Sequence, residues 1–129
     1  MRTFISGLLL LLSGVSSAVA QSDISPVALV GKWSASAKHP SGVNIVSRVV
    51  FTQAMKFSGA TTVDDKPLME FTGTWALSGT TLIWRYETST NTALTPGTID
   101  TDEVVSAGDS KLVLRSKLTG KQHEYIRSN

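Results

Sequence analysis

The side chains best suited to acid–base or metal chemistry are few and widely spaced. Carboxylates gather in two short stretches, at positions 64–65 and 100–103, but neither stretch has the glycine and distal glutamate of a calcium-binding loop. The two histidines, His39 and His123, lack the paired spacing that a zinc site needs. The sequence therefore predicts no metal site, with the acidic groups in solvated turns and at strand ends and His39 on the surface.

Patterns of catalytic or cofactor-binding sites are absent from the sequence as well. Without any cysteine, the chain cannot form a disulfide, a thiolate metal site or a cysteine nucleophile. It also contains no nucleophile elbow, phosphate-binding P-loop, His-Glu-x-x-His pair or dinucleotide glycine pattern. We therefore expect a protein that is not an enzyme and that uses no cofactor.

The charge of the chain also restricts its partners. Twelve lysines and arginines stand against ten aspartates and glutamates, and the two signs are interspersed along the sequence. No basic cluster that could follow a phosphate backbone is present. Nucleic acid is therefore not an expected partner.

Residues 1–20 have the pattern of a cleaved secretory signal peptide. Arg2 gives a positive start, the apolar run at 4–12 is too short at about nine residues to span a bilayer, and 18–20 fit the small-x-small rule of signal peptidase. A buried apolar helix is the alternative. No second long apolar run follows, so residues 21–129 are expected to form one secreted or periplasmic domain without a membrane span.

The rest of the chain alternates between apolar and polar residues, a pattern typical of β-strands. Turn-forming Gly, Asp, Asn, Pro and Ser interrupt it about every eight to twelve residues. Positions 88–98 form the one long stretch without periodicity, which we assign to a surface loop. The pattern predicts eight strands and no helix. The first strand contains Trp33, and the others lie near 43–52, 55–61, 69–77, 82–86, 99–106, 111–117 and 122–127.

Eight sequential strands favour an all-β, up-and-down antiparallel barrel. Closure pairs the first strand with the last and so removes the free sheet edges that would otherwise aggregate. The number of strands alone does not prove closure, so an open sandwich is the alternative.

A glycine and a tryptophan on the first strand, together with an arginine on the last, match a known family. Gly31, Trp33 and Arg127, in a succession of antiparallel strands, resemble the lipocalin-like (calycin) barrels. In that superfamily the glycine lets the chain bend past the barrel floor, the tryptophan plugs this end, and the arginine packs across the tryptophan ring. The resemblance implies a structural floor made of these three residues, with a cation–π contact worth on the order of 1 kcal/mol.

Further stretches resemble the small lipocalin-like domains found among exported bacterial proteins of unknown role. These stretches lie at 71–77, 82–84, 101–103 and 112–116. Lipocalins that enclose sizeable ligands are longer and carry disulfides, so the resemblance implies the barrel but not a large cavity.

An inward-facing Trp33 fixes by alternation which residues face the barrel interior. An eight-stranded barrel is just wide enough to be filled by side chains or to hold one small ligand. The bulk of the aromatic rings favours a filled interior, and a pocket for a small apolar or aromatic compound is the alternative. The candidate ligand-binding residues are Phe57, Met69, Phe71, Trp75, Leu82, Trp84, Tyr86, Glu103 and Tyr125.

Glu103 is the one charged candidate. We assign it to the barrel interior because it has the same strand parity as the apolar Ile99 and Val105. A buried carboxylate needs an arginine, a hydroxyl group or water as its partner, or else it takes up a proton. Three interpretations stay open: an anchor for a polar group of a ligand, a structural pair with Arg127 or Tyr125, and an exposed strand end.

Two functions follow from this interpretation. The first is an exported binding module whose open end, bordered by the 88–98 loop, admits a small hydrophobic ligand. The second is a protein-interaction or inhibitor module with a mostly filled barrel, whose segment 21–30 or 88–98 loop contacts a protein partner. We expect a monomer in either case. Fold analogy does not choose between the two functions.

Overall fold

Eight antiparallel strands form a closed barrel in the computed structural model of the chain. The structure describes residues 24–128, so the predicted signal peptide at 1–20 lies outside the described residues. The strands are β1 (Gly31–Lys38), β2 (Asn44–Phe51), β3 (Lys56–Val63), β4 (Lys66–Ser78), β5 (Thr81–Ser89), β6 (Ile99–Ala107), β7 (Lys111–Ser116) and β8 (Gln122–Ser128). The predicted all-β fold and eight-stranded barrel are confirmed, and the open sandwich is wrong.

Each strand pairs with the next one along the chain, and β8 returns to pair with β1. Tight turns make these hairpins possible. Asp64 and Asp65 both adopt left-handed backbone angles, with φ of 49° and 67°, in the turn between β3 and β4. Asp64 Oδ1 also accepts a hydrogen bond from the backbone N–H of Asn44 at 2.8 Å. The fourth strand, which we predicted near 69–77, begins earlier, at Lys66.

A short 3₁₀ turn, Pro26–Ala28, precedes β1 and was not predicted from the sequence. Leu29 follows it and is completely buried in the barrel core. Within residues 24–128 there is no helix of the length and apolarity that a membrane crossing requires.

The connections give the barrel two different ends. The open end carries the connections at 39–43, 64–65, 90–98 and 117–121, and the closed end carries the 3₁₀ turn. Both ends of the described chain lie at the closed end. The Ile24 N–H donates to the Gly79 carbonyl at 3.3 Å, and the Arg127 N–H donates to the Ser110 carbonyl at 2.9 Å.

Aromatic and aliphatic side chains fill the closed half of the barrel. The ring centroid of Phe51 lies 5.3 Å from that of Trp75 and 5.2 Å from that of Trp84. Phe57 meets Trp84 in a T-shaped contact at 5.1 Å. Each such ring removes roughly 150–250 Å² from water, so this cluster is the main source of hydrophobic stabilisation. The residues buried with it are Leu29, Trp33, Val49, Leu82, Val104, Leu112 and Leu114.

Two glycines on β3 and β4 make room for phenylalanine rings. Gly73 is opposite Phe57 in the register of these strands. A Cβ atom at Gly73 would overlap the Arg85 carbonyl oxygen and would lie 2.7 Å from the Phe57 ring. Gly59 is opposite Phe71, whose ring would lie 2.5 Å from a Cβ at that position. Each ring therefore occupies the space that a side chain on the opposite strand would need.

The closed end is sealed by a contact between Trp33 and Arg127. The guanidinium carbon of Arg127 lies 4.2 Å from the centre of the Trp33 ring, which is the cation–π contact implied by the resemblance. The indole N–H of Trp33 donates to the Leu29 carbonyl at 2.8 Å. Gly31 passes beside the guanidinium with φ +135°, and a Cβ there would overlap Nη1 of Arg127. The position therefore needs glycine both for its backbone angle and for its close approach.

Arg127 also holds the backbone around this contact. Its Nε donates to the Asp109 carbonyl at 2.6 Å, its Nη1 to the Val30 carbonyl at 2.8 Å and its Nη2 to the Ala28 carbonyl at 3.3 Å. One side chain on β8 thus connects the segment before β1 with the turn between β6 and β7.

The seam between β1 and β8 is short. Among residues 24–128, three residue pairs align there, from Lys32–Ser128 to Ser34–Ile126, whereas the other neighbouring strands align at least five. All three pairs are at the closed end, next to Trp33 and Arg127. Toward the open end the two strands diverge.

Replacing Arg127 with alanine is expected to destabilise the fold by about 3 kcal/mol. Three backbone carbonyls would lose a charged donor and Trp33 would lose its cation–π partner. Arg127→Lys should recover only part of the loss, because an ammonium group lacks the planar fork of a guanidinium. Urea unfolding measures the free energy of each variant.

Arg115→Ala is the matched control for this prediction. Arg115 is an exposed arginine on β7, and among residues 24–128 its side chain hydrogen-bonds only to Gln122, at 3.4 Å. Its loss should change the free energy of unfolding by no more than about 0.5 kcal/mol. An equal effect of Arg127→Ala and Arg115→Ala would contradict the role of Arg127 in holding the barrel closed.

Candidate functional site

The open half of the barrel contains a cavity of about 540 Å³. This volume lies within the range of about 300–1,000 Å³ that is typical of small-molecule sites. Seven of the eight strands contribute to its wall. The inward-facing lining residues are Ser47, Val49, Thr61, Met69, Phe71, Trp84, Tyr86, Asp100, Asp102, Ser116, His123 and Tyr125.

Four aromatic side chains contribute to this wall. Phe71 and Tyr86 contact each other with ring centroids 5.8 Å apart, and Tyr86 also lies 5.4 Å from the buried Phe57. Trp84, which is 6% exposed, belongs both to the core and to the cavity lining. The cavity is thus continuous with the aromatic core beneath it.

The sequence-predicted binding residues fall into three groups. Five of them line the cavity: Met69, Phe71, Trp84, Tyr86 and Tyr125. Three others, Phe57, Trp75 and Leu82, are buried in the closed half. The ninth, Glu103, lies elsewhere. The expectation of a mostly filled interior therefore describes the closed half, and the alternative of a pocket describes the open half.

The predicted inward position of Glu103 is wrong. Its carboxylate accepts a hydrogen bond from Thr80 Oγ1 and pairs with Lys117 Nζ at 3.7 Å on the outer surface. The residues that had suggested an inward parity are themselves on the outside, since Ile99 is 57% and Val105 44% exposed. The side-chain partners of Glu103 are therefore Thr80 and Lys117, and not Arg127 or Tyr125.

Asp100 and Asp102 occupy the inward positions of β6 instead, in the same parity as the buried Val104. A register shift between Val104 and Ser106 lets Val105 leave the core while its neighbour stays inside. In the sequence, two consecutive valines, Val104 and Val105, mark this place. Either valine could face the barrel interior, so the pair fits both possible orientations of the strand. Alternation of polarity could not choose between them, because acidic residues lie on both faces of the strand.

Asp102 is half-buried and has one fixed partner. Its Oδ2 accepts a hydrogen bond from the indole N–H of Trp84 at 2.8 Å. Burial raises the pKa of the Asp102 carboxyl, and the charge of Asp100 raises it further. The Trp84 hydrogen bond and His123 act in the opposite direction, but burial is the largest influence.

The two tyrosines of the cavity are uncharged hydrogen-bonding groups. Burial, together with the charges of Asp100 and Asp102, raises the pKa of Tyr86 to about 12. Burial and the charge of Asp102 raise the pKa of Tyr125 to about 12 as well. Both hydroxyl groups therefore stay protonated near neutral pH and can donate to a ligand.

A lateral cleft reaches the cavity through the diverging part of the β1–β8 seam. It has a volume of about 610 Å³ and lies between residues 34–37 of β1 and 122–126 of β8. Ser47, His123 and Tyr125 line both the cleft and the cavity. The cavity is therefore bordered by two openings, one at the open end and one along the seam.

The arrangement offers apolar contact, hydrogen bonds and negative charge. Within residues 24–128 no group of three histidine, aspartate or glutamate side chains is placed to hold a metal ion. Comparison of the chain with known protein families and with curated proteins found no match. The geometry of the cavity is therefore the basis for any functional conclusion.

The Asp102→Asn variant is expected to be more stable than the wild type at pH 7, with a difference that disappears as the pH falls. Because the folded state holds the Asp102 proton more tightly, wild-type stability decreases as the pH rises from the ordinary value of 3.8 through the raised pKa. Asparagine retains an oxygen for the Trp84 N–H but carries no charge to desolvate. Urea unfolding at a series of pH values measures this difference.

Asp65→Asn controls for the loss of one negative charge. Asp65 is exposed, and asparagine tolerates its left-handed backbone. If the stability of Asp102→Asn differs from the wild type no more than that of Asp65→Asn at every pH, Asp102 does not carry a desolvation cost.

Proposed function

We propose that this protein is a lipocalin-like binding module that takes a small apolar or aromatic compound into the open half of its barrel. The observation that carries the proposal is the cavity of about 540 Å³. Its wall combines four aromatic rings with hydroxyl and charged side chains, so it offers both apolar contact and polar groups that could orient a ligand. The rigid aromatic core below gives the cavity a preformed floor.

Membership in the calycin superfamily is part of this proposal. It is supported by the closed barrel of sequential hairpins and by the packing of Arg127 on Trp33 at the floor. A fold by itself does not identify a function. The proposed ligand class therefore rests on the cavity and not on the family.

Binding is also better supported than catalysis. A serine or threonine nucleophile needs an adjacent base. In the described part of the cavity wall, His123 forms no hydrogen bond with a serine or threonine hydroxyl group.

The alternative of a protein-interaction module has less support. In the described part of the N-terminal segment, residues 24–30, Leu29 is completely buried and cannot reach a partner without leaving the core. The 88–98 loop is held against β5: the Gly97 N–H donates to the Tyr86 carbonyl at 2.7 Å, and the Tyr86 N–H donates to the Thr98 carbonyl at 2.9 Å.

Met69→Trp is expected to weaken binding of a neutral aromatic probe, N-phenyl-1-naphthylamine, by about tenfold or more. The larger indole would occupy the space in which the probe is expected to bind, and loss of about 1.4 kcal/mol of contact corresponds to a tenfold change. Fluorescence titration of the probe measures the dissociation constant. Urea unfolding of the same variant establishes that the barrel is intact.

Leu68→Trp is the matched control, because it adds the same ring at the adjacent position on the outside of β4. Leu68 is 64% exposed. This variant should bind the probe like the wild type. Equal binding by both tryptophan variants, or no binding by the wild type, would contradict the cavity as the binding site.

We also propose that the protein is exported, on the basis of the signal pattern in residues 1–20. The protein isolated from its own host should have the denatured mass of residues 21–129. Its native mass should be higher by a few hundred daltons, the size of a compound that fits such a cavity. A chain that retains residues 1–20 would contradict export, and a bare native mass would contradict a retained ligand.

A further inference from the structure

We infer that the ligand of the cavity is a small organic cation, in which an amine is attached to an aromatic or apolar body. The inference rests on the proposed function and specifies the charge of the ligand. It is carried by the position of two carboxylates, Asp100 and Asp102, in a cavity whose wall also contains four aromatic rings.

The two carboxylates lie at different depths. Asp100 is opposite Trp84 in the register of β5 and β6, and Asp102 is opposite the completely buried Leu82. Asp102 therefore lies at the bottom of the cavity, and Asp100 lies one step nearer the mouth. An ammonium group could pass Asp100 and reach Asp102 while the apolar part of the molecule stays among the rings above.

Both carboxylates have oxygen atoms free to accept a hydrogen bond. Trp84 engages Oδ2 of Asp102. Among residues 24–128, no side chain or backbone group donates to Oδ1 of Asp102 or to the carboxylate of Asp100. An alkylammonium group has three donors and would satisfy these acceptors.

The negative charge in the cavity also lacks an ion-pair partner within the described chain. The ion pairs found in residues 24–128 join Lys111 to Glu124 at 3.3 Å and Lys117 to Glu103 at 3.7 Å, and none of these four residues lines the cavity.

The basic residues around the cavity form no ion pair with the two carboxylates. Arg48, Lys121 and His123 are among the residues that line it, and within residues 24–128 none of them is at ion-pair distance from Asp100 or Asp102. The burial that disfavours the charge of Asp102 is a cost that a bound cation would offset.

The aromatic rings also favour a positively charged ligand. Phe71, Trp84, Tyr86 and Tyr125 surround the space beside the carboxylates. Ring faces attract a cation within about 6 Å and repel an anion. Carboxylates and rings therefore act together, and they select against an acidic ligand such as a fatty acid.

Three probes with one skeleton test the inference: 1-naphthylmethylammonium, 1-naphthalenemethanol and 1-naphthoate. They differ in charge and hardly in size. We expect the cation to bind at least about tenfold more tightly than the neutral alcohol, and the anion to bind most weakly. Isothermal titration calorimetry at neutral pH measures the three dissociation constants.

Substitutions of three neighbouring acidic residues on β6 test which carboxylates recognise the cation. In Asp102→Asn the ratio between cation and alcohol affinity should fall toward one, and Asp100→Asn should reduce it in part. Glu103→Gln removes the adjacent carboxylate, which is outside the barrel, and should keep the wild-type ratio. Comparing the two probes within each variant separates a loss of charge recognition from a loss of folding.

The outcomes distinguish this inference from the proposed function. Equal affinity for the cation and the alcohol, or a preference for 1-naphthoate, would overturn the inference and leave the binding cavity intact. An unchanged ratio in Asp102→Asn and Asp100→Asn would also overturn it. Failure of all three probes to bind the wild type would instead overturn the proposed function.

Discussion

The guanidinium of Arg127 connects the beginning and the end of the barrel, and closure of the sheet depends on it. It packs on Trp33 from the first strand and holds backbone carbonyls on both sides of the seam. In the described part of the chain, backbone pairing contributes less here than elsewhere, because β1 and β8 align three residue pairs there. The chain has no cysteine, so no covalent bond can take over this role. The cation–π contact and the hydrogen bonds of Arg127 therefore hold the first and last strands together where backbone pairing is short.

The size of the inward-facing side chains divides the barrel into a filled half and an open half. Large rings such as Phe51, Phe57 and Trp75 occupy the closed half and pack edge to face. Near the open end the inward positions include small residues such as Ser47 and Thr61, which hydrogen-bond to each other at 3.2 Å. A barrel of eight strands can either be filled or hold a ligand, and this chain does each in a different half.

Alternation of apolar and polar residues was sufficient to predict the strands, because it repeats along the chain. The floor was predicted from the resemblance of Gly31, Trp33 and Arg127 to the lipocalin-like barrels. The 3₁₀ turn Pro26–Ala28 was missed because three residues are too few to show a period. The parity of β6 was missed because a bulge at Val105 changes the face of the strand, and polarity alone had placed its acidic residues incorrectly.

The inward position of Asp102 illustrates why the candidate site was harder to predict than the fold. A half-buried carboxylate contradicts the hydrophobic pattern, and only a partner on another strand explains it. That partner is the indole N–H of Trp84 on β5. Such a pair depends on strand register, which is a property of the assembled sheet, so the sequence of β6 contains no sign of it.

The position of the two described chain ends determines how the barrel can be attached to something else. Ile24 and Arg127 are both fixed at the closed end through hydrogen bonds to turns there. A linker, a fused domain or a solid support joined at either end would therefore be on the side opposite the cavity mouth. Immobilised through either end, the barrel would present its mouth outward, away from the attachment, with the cavity free to exchange molecules with the surrounding solution.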